Sequence, residues 1–172
     1  MKKYGVICMV LVIALSFTFA KDFKVAYFDS EQVMQNWGEW KDAQAKFDQN
    51  VLEWQEDAQE MEDSLNQLME DYQRQELLLS ADKKQEKQMI IQQKQLEYQE
   101  FLATIFGESG LATQRNAELT APLYERINQS LSKIAEREGI SVVFDGASSG
   151  IAYIDPSLDL TEDLVEELKS VR

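Results

Sequence analysis

The chain has 172 residues, with 17 basic and 31 acidic side chains and a net charge of −14 at pH 7. It contains no histidine, which excludes zinc sites of cysteine and histidine and catalytic triads that depend on histidine. The acidic balance disfavours nucleic acids and anionic membrane surfaces as partners, because both are negatively charged.

The chain begins with a predicted export signal. Lys2 and Lys3 precede an uncharged, largely apolar run up to Ala20, with small residues one and three places before the predicted cut. This pattern is typical of a secretory signal peptide, so we predict a signal over residues 1–20, cleaved after Ala20. An uncleaved anchor is the alternative, although the run is shorter than the roughly 20 residues that span a bilayer. Cleavage would remove the only cysteine, so no disulfide is expected, and the net charge would become −16.

A long helix is predicted next. From Val33 to Leu79, apolar residues recur at alternate spacings of four and three, which is the 3.5-residue period of a coiled coil. Asp29 and Gln32 can form a capping box at the start. We predict one helix over residues 30–79, about 75 Å long. A chain of this size cannot enclose such a helix, so the helix is expected to project as an arm.

The arm is predicted to be an antiparallel hairpin with its tip near residues 80–82. Ser80 can cap a returning helix, in which residue i faces roughly residue 161 − i. Gly107 and Gly110 interrupt this helix opposite Trp54 and Val51. Two explanations stay open for the glycines: they make room for the indole of Trp54, or they form a hinge at which the arm bends.

The two ends of the mature chain are predicted to form one small α/β body. Three segments have the residue types of strands, and they are residues 24–28, 140–144 and 151–154. Helical spacing resumes at Leu119 with a kink or restart expected at Pro122. Gly139 is expected to end this helix, and Thr161 to cap the last one.

The predicted fold is therefore mainly α, a long antiparallel coiled-coil hairpin inserted in a small α/β body. The body spans residues 21–36 and 120–172, and the arm spans residues 37–119. A body of this size is marginal on its own, and a lone hairpin leaves most of its apolar seam wet. Oligomerisation through the body would relieve the first problem.

Three segments resemble the Skp/OmpH family of periplasmic chaperones: residues 24–34, 134–145 and 152–161. The resemblance implies a periplasmic homotrimer, with a β-barrel-like trimerisation core and helical tentacles around a cavity. It also implies that the protein holds unfolded outer-membrane proteins without nucleotide. It also assigns a role in trimer packing to Val25, Tyr27, Val143, Phe144, Ile151 and Tyr153. The alternative is that these residues form an ordinary core within one chain.

The charge of the arm departs from the basic character of the best-known members. Residues 47–73 contain nine acidic residues and no lysine or arginine, and only the tip near Lys83, Lys84 and Lys87 is locally basic. The acidic face could keep the arm soluble, hold tentacles apart by repulsion, or select basic or neutral clients. Membrane association is expected to be transient at most.

No motif for catalysis or for a cofactor is found. The chain lacks a GxxxxGK[ST] loop, so binding of nucleotide is not expected. Asp145, Asp155 and Asp159 suit turns and caps better than a metal site. We therefore predict a protein that is not an enzyme and has no cofactor.

The predicted function is that of an ATP-independent holding chaperone, which grips unfolded outer-membrane proteins weakly at many points. The best candidates for client contact are apolar residues that the hairpin does not use, namely Met69, Leu78, Met89, Ile90 and Phe106. The alternative is a structural coiled-coil spacer or tether in the cell envelope that binds no client.

Overall fold

The computed structural model of the chain describes residues 23–148 and 150–170, so the predicted signal over residues 1–20 lies outside the described part. The described part is mostly helical, with one pair of short strands. Its elements in chain order are β1 (Lys24–Phe28), α1 (Ser30–Asn36), α2 (Gly38–Gln75), a 3₁₀ turn (Glu76–Leu78), α3 (Ala81–Phe106), α4 (Leu111–Glu138), β2 (Ile140–Asp145), a second 3₁₀ turn (Pro156–Leu158) and α5 (Thr161–Ser170).

The two strands correspond to the first two of the three predicted strands, and they pair in parallel. The pairing runs from Lys24 beside Ile140 to Phe28 beside Asp145, with an irregularity after Lys24. Parallel strands cannot be joined by a tight turn and need a crossover connection. Here the crossover consists of α1 to α4, so the long helices leave the body after β1 and must return to β2.

The predicted strand over residues 151–154 is wrong, since this segment has no regular structure. A strand forms where a neighbouring backbone satisfies its N–H and C=O groups. The outer edge of β1 is already used, because the N–H of Leu160 donates to the carbonyl of Tyr27 at 2.8 Å. Gly150, with φ of 61°, also breaks the extended run just before Ile151.

The predicted single helix over residues 30–79 is interrupted at Trp37, which has extended backbone angles between α1 and α2. The helical pattern continues through this residue, but its side chain is 1% exposed and lies in the core of the body. Burial of a large indole outweighs the small cost of breaking a helix. At the far end, α2 gives way to the 3₁₀ turn after Gln75.

At the start of α1, only one of the two hydrogen bonds of the predicted capping box is present. The Asp29 side chain accepts a hydrogen bond from the N–H of Gln32 at 3.0 Å. The second half of a capping box would use the N–H of Asp29, but that group donates to the hydroxyl of Thr161 at 3.0 Å. Thr161 is the buried first residue of α5 and not its cap. The contact ties the entry to α1 to the entry to α5.

The other helix ends agree better with the predictions. Ser80 caps α3 by accepting from the N–H of Lys83 at 3.4 Å. Gly139 ends α4 in the left-handed conformation, with φ of 68°. Pro122 lies inside α4, which continues through it, so the predicted restart is absent at that position.

The core of the body lies where α1, the start of α2, α4 and α5 meet the strand pair. Its most deeply buried large side chains are Val33, Trp37, Ile134, Leu164 and Leu168. Val33 and Trp37 lie just before and at the start of the arm, and the other three lie in the segment after it, so folding of the body requires both ends of the chain.

Arg126 of α4 joins three of these elements. Its guanidinium carbon lies 5.1 Å from the ring centroid of Trp37, and it forms an ion pair with Glu39 in the first turn of α2. It also donates to the carbonyl of Leu168 in α5 at 3.1 Å. A cation over an indole combined with charged hydrogen bonds is a strong contact when water is partly excluded. Arg126 therefore helps to fix the direction in which α2 leaves the body.

The break between α3 and α4 is a short turn from Gly107 to Gly110. A Cβ atom on Gly107 would lie 2.3 Å from the carbonyl oxygen of Ala103, and one on Gly110 would lie 2.5 Å from that of Ile105. The nearest atoms are thus backbone atoms of the turn and not the indole of Trp54. Backbone crowding accounts for both glycines, and the hinge remains a prediction.

Replacement of Arg126 by methionine should lower the free energy of unfolding by about 2 kcal/mol, because the ion pair, the hydrogen bond and the contact with Trp37 are lost together. Arg137→Met is the matched control, since the ion pairs of Arg137 with Glu138 and Glu167 are exposed and should contribute less than about 1 kcal/mol. Urea unfolding at fixed protein concentration measures both. Equal losses in the two variants would contradict the assigned role of Arg126.

Replacement of Gly110 by alanine should lower the free energy of unfolding by about 1–3 kcal/mol, because the crowded backbone must shift. Gly38→Ala is the control, since no atom lies within 4 Å of a Cβ there, and stability should hold or rise slightly. Spin labels on the body and on the arm tip test the hinge in the same variants. An unchanged distance distribution in Gly110→Ala would contradict the hinge.

Candidate binding surface

The arm consists of α2 and α3 packed side by side in opposite directions. The rings of Trp54 and Phe106 meet edge to face with centroids 6.5 Å apart. Nearer the tip, the side chain of Gln88 donates to the hydroxyl of Tyr72 at 2.7 Å. Both pairs correspond to residue i facing residue 160 − i, one less than the predicted rule.

The seam between the two helices is only partly covered. Leu65 and Ile105 are buried, but Trp54, Met61 and Phe101 remain half-buried in the described chain. In a pair of helices, each helix covers only the side of the seam that faces it. The edges of the seam therefore stay open to water. One open groove, of about 380 Å³, is lined by Asp57, Glu60, Met61, Ser64, Lys94 and Phe101. Another, of about 320 Å³, lies nearer the tip and includes Met69, Tyr72 and Ile91.

The five residues predicted for client contact all have exposed side chains. The exposed fractions are 41% for Met69, 88% for Leu78, 56% for Met89, 43% for Ile90 and 43% for Phe106. They do not converge on one site, because they are distributed from the 3₁₀ turn at the tip to the end of α3 near the body. The surface could therefore contact a long partner at several separate points.

Sequence reasoning missed four further exposed apolar residues of the arm: Leu52, Leu77, Leu96 and, at the start of α4, Leu111. Leu77 is 93% exposed beside Leu78, in the 3₁₀ turn that ends the arm. Leu96 follows Met89 by seven residues, which is two turns of helix. That spacing could have indicated that both lie on one face of α3.

The six residues predicted for trimer packing are divided between the core and the surface of the body. Val25, Tyr27 and Val143 are half-buried within this chain, and Val143 packs against the core. Phe144, Ile151 and Tyr153 are exposed, with Tyr153 at 80%. Phe23 and Leu158 are exposed as well, and they line an open groove of about 530 Å³ beside β1.

The acidic residues near the strands act in turns and caps. Burial alone would raise the pKa of Asp145, but hydrogen bonds from Ser148 and Ser30 hold that pKa below its usual value. The backbone N–H of Ser157 is the main cause that lowers the pKa of Asp155. Partial burial, followed by the nearby carboxylate of Asp159, raises the pKa of Tyr27. These carboxylates are satisfied by the chain itself.

Neither a metal centre nor a membrane span is found in the part of the chain that the structure describes. Within residues 23–148 and 150–170, acidic side chains do not gather into a group of three or more that could hold a metal ion. The helices within these ranges are too polar or too short to cross a bilayer. The most prominent surface features are therefore the exposed apolar residues of the arm and of the body.

Known proteins resemble this chain in sequence and in fold. The family model described as "Outer membrane protein (OmpH-like)" matches residues 24–168. A crystal structure of a candidate outer membrane chaperone (OmpH-like) from Caulobacter crescentus superposes with a TM-score of 0.73 at 14% sequence identity. The superposition covers 86% of this chain and 85% of that chain, which shows a shared fold. No curated protein matches the sequence.

Proposed function

The chain belongs to the OmpH-like family of outer membrane proteins, and we propose that it is a holding chaperone of the periplasm. In this proposal it binds unfolded outer-membrane proteins without ATP and prevents their aggregation during transit to the outer membrane. The arm, residues 37–119, contacts the client. The body, residues 21–36 and 120–172, joins the copies of the chain.

One observation carries the proposal: large apolar side chains are exposed along the whole arm. Soluble proteins seldom expose such residues together unless they bind something. Among the described residues of the arm they are Leu52, Met69, Leu77, Leu78, Met89, Ile90, Leu96, Phe106 and Leu111. A rigid spacer would gain nothing from them, because each exposed apolar group favours aggregation.

The distribution of these residues suits an unfolded membrane protein. Strands of a transmembrane barrel alternate between apolar and polar side chains, so an unfolded barrel protein presents apolar groups at short intervals over its length. A surface with scattered contacts can hold such a chain wherever it touches. Since each contact is weak, the chain can leave again without an energy source. The absence of a GxxxxGK[ST] loop agrees with this.

We also propose that the chain is a homotrimer with a β-barrel-like core. A sheet of two strands is marginally stable in water, and here β1 and β2 form a sheet of that size with exposed apolar residues around it. Pairing with the sheets of other copies would cover Phe144, Ile151 and Tyr153.

The purified protein should suppress the aggregation of an outer-membrane protein diluted from urea, and it should do so without nucleotide. Light scattering measures this, and addition of ATP should change nothing. A histidine-free, acidic protein of similar size without an arm is a suitable control for non-specific effects. If several clients aggregate as fast as in buffer while the trimer is intact, the protein is better explained as a spacer or tether.

Tyr153→Asp should dissociate the trimer, because it places a charge in the apolar surface that the copies would share. Glu162→Gln is the control, since this exposed residue lies outside that surface. Analytical ultracentrifugation at micromolar concentration gives the mass of each. A wild-type monomer, or a Tyr153→Asp protein that remains trimeric, would contradict the proposed assembly.

A further inference from the structure

We infer that the arm holds its client on one side, the face of α3 that points away from α2, and that the occupant of this face is an extended, unfolded polypeptide segment. The inference rests on the proposed function and specifies which surface of the arm performs it.

The two helices of the arm differ sharply in charge. Helix α2 has eleven acidic and three basic residues, for a net charge of −8. Helix α3 has four acidic and four basic residues and is neutral overall. Two of its lysines form ion pairs one turn away, Lys83 with Glu86 and Lys94 with Glu97. The acidic groups of a polypeptide are therefore not repelled by a net negative charge on α3. The desolvation cost of binding there is also low, because few of the charges on α3 are unpaired.

An apolar row runs along the outer face of α3. Met89, Leu96 and Ala103 recur every seven residues, and all are exposed. Ile105, on the opposite side of the same helix, is buried in the hairpin. The outer row has no covering element within the described chain. It extends for about 21 Å, since each residue of a helix rises 1.5 Å.

The positions between the apolar residues indicate what kind of partner fits. A second helix in a coiled coil needs apolar residues at two positions of each heptad. Here the second position is occupied by exposed glutamines, Gln85, Gln92 and Gln99, so a helix from another copy would bury polar amides. Glutamine both donates and accepts hydrogen bonds. An unfolded chain has unpaired backbone N–H and C=O groups that these amides can satisfy, while its apolar side chains contact the row.

The outer face of α2 offers no equivalent surface. Leu52 is as exposed as Leu96, at 58% each. However, Leu52 lies between Asp48 and Glu56, one turn away on either side, within the stretch of nine acidic residues. A single leucine in that setting gives a client little apolar area and exposes it to several carboxylates. Leu52 is thus predicted to contribute less to client binding than Leu96, although the two side chains are equally exposed.

Paired variants test this difference. Met89→Gln with Leu96→Gln removes the row on α3, and Leu52→Gln with Met69→Gln removes exposed apolar residues from α2. All four positions are exposed and glutamine is a good helix former, so circular dichroism and trimer mass should be unchanged. The α3 variant should bind an unfolded outer-membrane protein about five- to tenfold more weakly, and the α2 variant, which also removes exposed apolar contacts but from the acidic helix, should lose only about two- to threefold.

A photo-crosslinking residue provides a second measurement that does not depend on affinity. Placed at Gln85 on α3, one turn before Met89, it should capture the client several times more often than at Gln55 on α2, and both positions are exposed.

The outcomes separate the two claims. If the two double variants weaken binding equally, or the crosslinking yields are equal, the inference is wrong while the proposed function stands. If the wild-type protein holds no client at all, the proposed function fails and the inference fails with it.

Discussion

The parallel pairing of β1 with β2 is the constraint on which the rest of the structure depends. Parallel neighbours require that the chain leave one end of the sheet and return to the other. In this protein the connection is a helical arm that departs at Trp37 and returns through α4 to Ile140. The hydrogen bond from the backbone of Asp29 to Thr161 joins the same two ends a second time. The arm is therefore a long insertion between two strands that hold each other.

A hairpin of two helices has consequences for the surface of the arm. Helix α2 carries an apolar seam with the period of a coiled coil, and one partner helix cannot cover it fully. Trp54 and Met61 are accordingly half-buried, and open grooves follow the interface between the helices. Such an arm retains apolar contacts for a third component. A fully covered seam would make a stiffer arm with less capacity to bind.

Much of the fold could be predicted from sequence, and the differences have identifiable physical causes. The 3.5-residue period located the arm, and the cap at Ser80 located its turn, because both are local signals. The interruption at Trp37 could not be read from the pattern, since it depends on burial against Arg126 and α5. The expected strand over residues 151–154 lacks a neighbour in one chain, and strand formation is not a local property. The predicted contact residues are exposed apolar residues outside the seam, and Leu96 belongs with them because it follows Met89 by two helical turns on the same face.

The difference between α2 and α3 resolves a conflict between solubility and binding. An arm with many exposed apolar groups would associate with other arms if it were neutral, and a uniformly acidic arm would resist acidic clients. Charge concentrated on α2 gives each arm a strongly repulsive side, whereas the carboxylates beside the row of Met89 and Leu96, those of Glu86 and Glu100, lie on a helix without net charge. The glutamines of α3 add a further limit, because they weaken helix-to-helix packing more than contact with an unfolded chain. In the proposed function, the residues that contact a client are therefore the same ones that disfavour binding of a second arm.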